Sequence, residues 1–349
     1  MEPCCLQWKA ARRGRADQIR DRDGVVAGPD RIRCALLGIE SGGLDVQVAS
    51  IDFSTGRLLS PPANPIPDYV GANNAPQWSR DGKFLAYVSR RDVGSRNPVI
   101  GVRSLETGQV RELRPQMSEV NYYQGPQWSP DGRFFAVEGT DPKGRGGIFR
   151  IDAQDGDVSP VVLMQPGEQL QFGNWSPDGK KIYYRRGFSG TNDPAFVERD
   201  LASGAEREIY RRRMGALNLS PDGRWIATPI QDQSAKTSAL IIIPVGGGEA
   251  RELFRVQIPD YLISPSWAPD ASFVIACKIT LPGNETCEHW RIPLSGGEPR
   301  KLNVDLKMTR TNGWISVHPD GHQIAYASGK NTFEVSVMEN LLPALRAKR

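Results

Sequence analysis

The chain has 349 residues, with 44 lysines and arginines against 40 aspartates and glutamates, and a formal net charge of +4 at pH 7. This balance is too even for a nucleic-acid-binding surface, and no stretch reaches the roughly 20 apolar residues of a membrane helix. The 36 glycines and 27 prolines are spread along the chain, and 39% of the residues are hydrophobic. This composition is typical of an all-β protein with many turns and a core.

Residues 1–23 carry frequent charges and no strand pattern, so we expect a disordered basic tail there. The tail also lacks the apolar segment of a secretory signal. The sequence as written therefore predicts a cytoplasmic protein, or a periplasmic one if the true N-terminus is missing from it.

An eroded structural unit follows the tail. Residues 25–30 indicate a strand and a turn, residues 32–37 a second strand and residues 46–51 a third. A hairpin turn at 54–56 and a fourth strand at Leu58 and Leu59 complete the unit.

One short phrase then returns six times, with its copies beginning at positions 78, 128, 175, 219, 267 and 317. The intervals are therefore 50, 47, 44, 48 and 50 residues, and a fixed period of this length indicates an array of like supersecondary units. Its members are Trp78, Asp81 and Gly82; Trp128, Pro130, Asp131 and Gly132; Trp175, Pro177, Asp178 and Gly179; Pro221, Asp222 and Gly223; Trp267, Pro269 and Asp270; and Pro319, Asp320 and Gly321.

Each copy predicts one blade of a β-propeller. The Ser-Pro-Asp-Gly segment is turn chemistry, in which Pro presets φ and Gly takes the left-handed conformation. An apolar strand follows, then a variable loop, a third strand, a Gly-containing hairpin and a fourth strand. Four short antiparallel strands in each unit of about 45 residues are typical of a propeller blade.

The number of blades depends on how the ring closes. The eroded unit keeps the period, so we expect seven blades within a propeller domain at 24–340, followed by a basic tail at 341–349. The last unit, however, has only three predicted strands, the third at 334–337. If Leu58 and Leu59 supply its fourth strand, the ring has six blades, and this count is the alternative.

The repeated residues are interpreted as structural rather than catalytic. A Trp before four of the six turns indicates a packing wedge between blades, and the six Asp side chains should bond to their own turns. Of the three histidines, His318 occupies the Ser position of a turn, His322 begins a strand, and His289 follows Cys287 without a further zinc ligand. The five cysteines lack metal-type spacing, and Cys277 and Cys287, although they flank a hairpin, are expected to be reduced thiols. No catalytic, cofactor or metal site is predicted.

The phrase resembles the PD-type, WD40-like propeller repeat of TolB-like, tricorn-type and prolyl-oligopeptidase-like proteins, over residues of about 25 to 338. The chain is also similar to the C-terminal propeller portions of bacterial multidomain signalling proteins. The resemblance implies the fold more than one activity, because this scaffold serves several functions.

We expect a monomeric, non-catalytic scaffold that binds a protein or peptide through variable loops at 90–92, 141–145, 185–186 and 231–233. The alternative is an accessory propeller of a peptidase or hydrolase, or an enzyme with its site at the central channel.

Overall fold

The computed structural model describes residues 34–67, 72–90, 99–121, 125–188, 193–282, 286–308 and 314–339. Every element in these ranges is a β-strand, and the strands form six sheets. Five sheets have four strands, and in the other sheet the inner strand is divided into two pieces. The prediction of an all-β propeller with four-stranded blades is confirmed.

Within each blade the strands run in order from the channel outwards, beginning with the inner strand. Blade 1 consists of Ala72–Trp78, Phe84–Arg90, Val99–Ser104 and Val110–Leu113. Blade 2 consists of Glu119–Asn121 with Gln127–Trp128, then Phe134–Thr140, Gly146–Asp152 and Val158–Leu163. Blade 3 consists of Glu168–Trp175, Lys181–Phe188, Ala195–Asp200 and Glu206–Arg211.

The other three blades follow the same order. Blade 4 consists of Asn218–Leu219, Trp225–Asp232, Thr237–Pro244 and Arg251–Gln257. Blade 5 consists of Asp260–Trp267, Phe273–Thr280, Glu288–Pro293 and Arg300–Lys301. Blade 6 consists of Ile315–Val317, Gln323–Glu339, Cys34–Asp52 and Arg57–Leu58.

The blades close into a ring around a channel. Each inner strand lies beside the inner strand of the next blade, and that of blade 6 lies beside that of blade 1. Within the described ranges, six clusters of buried apolar side chains fill the interfaces between consecutive blades. Because each blade is covered on both faces, its central strands are apolar almost throughout. In Thr237–Pro244, for example, every residue except Pro244 is buried.

Blade 6 joins the two ends of the chain, and this corrects the expected count. Residues 34–52 and 57–58 are not part of a separate seventh blade but supply the third and outer strands of blade 6. The backbone N–H of Ile51 donates to the carbonyl of His322 at 2.9 Å. The described residues thus form six blades, the alternative count, because these strands cover an edge that blade 6 would otherwise expose. The segment 334–337, expected to be a separate third strand, continues the strand that begins at Gln323.

Contacts along the chain define two units, Gly42–Thr332 and a second made of Met1–Ser41 with Phe333–Arg349. In the second unit only the strand ends 34–41 and 333–339 are described. The expected tails at 1–23 and 341–349 and the expected turn at 28–30 lie outside the described residues, so the domain bounds stay predictions.

Candidate functional site

The repeated turns hold their own polar groups. In four blades the turn serine donates to the turn aspartate at 2.6 Å and accepts a backbone N–H at 2.9 Å. The Ser176 hydroxyl, with the backbone N–H of Lys180, lowers the pKa of Asp178 from its usual 3.8. In the last turn His318 takes the serine position, and its Nδ1 lies 3.0 Å from Asp320. These carboxylates are therefore bound within separate turns and do not form a shared acidic site.

The repeat tryptophans connect neighbouring blades. Each of three indoles donates from Nε1 to a backbone carbonyl of the preceding blade: Trp128 to Gln77 at 3.1 Å, Trp175 to Gln127 at 3.1 Å and Trp267 to Asn218 at 2.9 Å. We call the first residue of each repeated phrase the Trp position, although it is Leu219 in the fourth copy and Val317 in the sixth. The acceptor is in each case the residue just before the Trp position of the preceding blade. Each of these three indoles thus forms a hydrogen bond between adjacent blades.

The turns surround one end of the channel, which we call the turn side, and the opposite end is the loop side. The turn of blade 1 differs from the other copies of the repeated phrase, because Arg80 stands in place of proline. The guanidinium Nη1 of Arg80 donates to the carbonyl of Pro177, in the turn of blade 3, at 3.0 Å. A side chain from one turn therefore reaches past blade 2 across the rim of the channel.

On the loop side the channel widens into a pocket of about 440 Å³, which we call the loop-side pocket. It is lined by Gln171, Phe172 and Arg185 of blade 3, by Arg213–Ala216, Pro229 and Gln231 in and before blade 4, by Leu262–Ser264 of blade 5, and by Glu138 and Trp314. The walls are mainly apolar, and the charged groups are two arginines and one glutamate. The pocket thus combines a hydrophobic surface with an excess of positive charge.

Arg185 is held in a fixed position in this pocket. Its Nη1 donates to the Met214 carbonyl at 2.9 Å, and its Nη2 donates to Oε1 of Gln171. The guanidinium lies 5.3 Å from the ring centroid of Phe172. Burial lowers the pKa of Arg185, and the charge of Glu138 opposes that change. A cation in such surroundings attracts an anionic group more strongly than a cation in bulk water.

Left-handed residues bend the inner strands beside the pocket. Phe172 has φ of 63° and Ser264 has φ of 51°, both three residues before a repeat Trp. At both places the register between the inner and second strands shifts, as in a β-bulge. Bulges redirect side chains and peptide groups near binding sites. Here the bulge brings the N–H of Phe172 within 3.4 Å of the Glu138 carboxylate.

The loops singled out in the sequence meet this pocket only in part. Arg185 and Gln231 line it, but Arg186 forms ion pairs with Glu168 and Glu206 at 2.6 and 2.7 Å. Asp141 pairs with Arg145 of its own loop at 2.7 Å. Residues 91 and 92 lie outside the described residues. Phe172 and Trp314 were not identified from the sequence, although both stand three residues before a Trp position and could have been found by aligning the copies.

His289 and the nearby cysteines lie in the fifth blade. His289 is 1% exposed, and burial lowers its pKa from 6.5 to about 4. Cys277 and Cys287 are joined by a disulfide bond, which corrects the expectation of two reduced thiols. Paired strands bring the two residues together across the hairpin, close enough for the bond to form.

Two general observations concern metals and membranes. In the described ranges, no group of three or more His, Cys, Asp or Glu side chains is placed to hold a metal ion. The same part of the chain contains no helix of the length and hydropathy needed to span a bilayer.

The ring of six four-stranded sheets and the repeat define a TolB-like β-propeller protein of the PD40 type. No protein-family model matches the sequence. The chain is 26% identical over 256 residues to the Tol-Pal system protein TolB of Francisella tularensis subsp. mediasiatica, covering 72% of this chain and 56% of that protein. It thus spans about half the length of the curated relatives that it matches.

Solved structures share the fold. A TolB-like protein from Agrobacterium tumefaciens has a TM-score of 0.62 and 20% identity, covering 83% of this chain and 100% of that chain. Oligogalacturonate lyase from Vibrio parahaemolyticus has a TM-score of 0.53 and 13% identity, covering 81% and 77%. Identities this low show the fold alone, because unrelated activities share it.

Proposed function

We propose that this protein is a non-catalytic propeller scaffold that binds a protein or peptide in the loop-side pocket. The observation that carries the proposal is the placement of Arg185 and Arg213 among apolar and aromatic walls in a pocket open to the surface. The likeness to proteins named for the Tol-Pal system supports a protein partner.

The pocket suits a peptide with a carboxylate next to an apolar side chain. Trp314, Met214 and Ile263 offer hydrophobic contacts, and aromatic and arginine side chains dominate the binding energy of many interfaces. Arginine binds carboxylates through paired hydrogen bonds. Glu138 would disfavour a second carboxylate on its side of the pocket, and so adds selectivity.

A peptide selection with charge-reversed variants tests this proposal. A phage-displayed peptide library is selected on the wild-type chain, and the enriched peptides are titrated against Arg213→Glu and Arg212→Glu. Arg212 is the matched control, because it lines a different groove, between blades 3 and 4. We expect acidic-apolar peptides whose affinity falls at least about tenfold with Arg213→Glu alone. Equal losses with both variants would contradict the proposal.

We further propose that the protein works in an oxidising compartment such as the periplasm. The Cys277–Cys287 disulfide supports this location, because thiols are kept reduced in the cytosol of most organisms. Trapping free thiols in cells before lysis tests it: modification of both cysteines in the native protein would favour the cytoplasm.

The second candidate is an enzyme module, either an accessory propeller of a hydrolase or an enzyme with a channel site. The likeness of its fold to oligogalacturonate lyase is the observation that favours it. Purified protein is assayed on ester, peptide and glycoside substrates, and we expect no turnover. Turnover that is lost in Glu138→Gln would establish the enzyme instead.

A further inference from the structure

A cavity at the turn side is lined by uncharged polar side chains. The residue just before the Trp position is an amide or a hydroxyl in all six blades: Gln77, Gln127, Asn174, Asn218, Ser266 and Ser316. All of these except Asn174 line a cavity of about 590 Å³, which we call the turn-side cavity. The sequence copies thus place a ring of neutral hydrogen-bonding groups around the channel.

Two buried polar groups of this lining have no partner among the described residues. Ser266 is 3% exposed and its Oγ makes no hydrogen bond in that part of the chain, and the same holds for Nε1 of Trp78, which is 7% exposed. The indoles of Trp128, Trp175 and Trp267 all donate to the preceding blade. Buried groups without partners are rare in native proteins, since each loses hydration without compensation. Both groups belong to residues that line the turn-side cavity.

The charged groups at the rim of the cavity already have partners. Arg80 donates to the Pro177 carbonyl at 3.0 Å. Asp222 accepts from the Ser220 hydroxyl at 2.6 Å and pairs with Arg224, and Asp270 accepts from the Ser272 hydroxyl at 2.7 Å. Within the described ranges, the two buried groups without a partner are neutral, and the charged side chains at the rim are already bound to the protein, which favours a neutral ligand.

We propose that the turn-side cavity binds a neutral saccharide unit. Amides and hydroxyls both donate and accept hydrogen bonds, as the hydroxyl groups of a sugar do. Trp267 and Trp314 add indole surfaces, whose negative faces attract the C–H groups of a sugar ring. Trp314 lines both cavities, so a peptide extending through the channel would have to pass it. These features favour a compact ligand over an extended chain.

The test uses maltose, cellobiose and diacetylchitobiose as probes with the full chain, by calorimetric titration and by the shift of the thermal midpoint. At least one probe should bind with a Kd of roughly millimolar or tighter. Ser266→Ala removes a hydroxyl without a partner among the described residues, so the free variant should keep or raise its midpoint. Trp78→Phe removes an indole N–H of the same kind but also buried packing volume, so its midpoint should fall modestly. The affinity of each variant for the probe should fall about three- to tenfold relative to the wild type.

Two variants serve as controls. Trp175→Phe changes a side chain that does not line the cavity, and should lower the midpoint without changing the affinity for the probe. Arg213→Glu, in the loop-side pocket, should leave saccharide binding intact, which separates this proposal from the proposed peptide site. The proposal is overturned if no probe binds at about 50 mM. It is equally overturned if both cavity variants bind like the wild type, or if selected peptides bind in this cavity instead.

Discussion

The indole Nε1 of Trp128 donates a 3.1 Å hydrogen bond to the carbonyl of Gln77 and thereby connects blade 2 to blade 1. The Trp128 ring also packs against Phe135, with ring centroids 4.2 Å apart. The same indole bond recurs in two further blades. The repeated Trp is therefore a connection between blades as well as an apolar filler.

Removing this connection should destabilise the ring. Trp128→Ala leaves a cavity between blades 1 and 2 and should lower the free energy of unfolding by about 3–5 kcal/mol. Trp128→Phe, which keeps most of the ring packing and loses the hydrogen bond, should cost only about 1 kcal/mol. Urea unfolding measures both. A midpoint unchanged in Trp128→Ala would show that the side chain is not packed between the blades.

Gly125 permits close contact between the first two inner strands. It has φ of 75°, and a Cβ at this position would lie 2.5 Å from the carbonyl oxygen of Ala75. Gly167 is the matched control, because its φ is 78° and nothing lies within 4 Å of its Cβ position. Gly167→Ala should cost about 1 kcal/mol from backbone strain alone, and Gly125→Ala clearly more because the strands must separate. Equal losses in thermal stability would contradict the close contact.

The burial of His289 predicts a loss of stability in acid. The pKa of His289 is about 4 in the folded chain against 6.5 for an exposed histidine. The unfolded chain binds the proton more readily, so the stabilisation is complete above pH 6.5 and decreases as the pH falls towards 4. Its full size is roughly 3 kcal/mol. Hydrogen bonds from Arg186 first, and then from Tyr184, hold the pKa of Glu206 at about 2 against the opposing effect of burial. The contribution of Glu206 to stability is therefore lost at a lower pH than that of His289.

A comparison with His289→Gln isolates this contribution. Unfolding free energies of both proteins are measured at several values between pH 7 and pH 4. The wild type should lose stability relative to the variant across that range. Parallel curves would mean that His289 is protonated equally well in both states.

The disulfide should stabilise the propeller. It joins Cys277 and Cys287, which are ten positions apart. Closing such a loop lowers the entropy of the unfolded chain and so raises the free energy of unfolding by about 2–3 kcal/mol. Cys277→Ser with Cys287→Ser should lower the thermal midpoint, and reducing agent should then have no further effect. Alkylation of the native wild-type protein should leave both residues unmodified, and labelling of both without reductant would show that the bond is absent.

The sequence predicted those features that local chemistry determines. The turns follow from Ser, Pro, Asp and Gly, and the four-stranded blade follows from the spacing of turns and apolar runs. Closure depends on the strand Cys34–Asp52 pairing with the strand Gln323–Glu339 from the other end of the chain. A periodic pattern cannot show whether an eroded copy forms its own blade. The disulfide likewise depends on the distance between two paired strands of blade 5, and the loop-side pocket depends on distances between blades. Arg185 was found as a charged loop residue, but its contact with Phe172 was not.

Hydrogen exchange with a selected peptide bound tests the central claim, that the loop-side pocket is the binding site. Exchange is followed by mass spectrometry on the full chain with and without saturating peptide. We predict slower exchange in residues 213–216 and 262–264, which line the pocket, and no change in the outer strand Arg251–Gln257. Protection confined to the outer strands or to the Ser-Pro-Asp-Gly turns would contradict the claim.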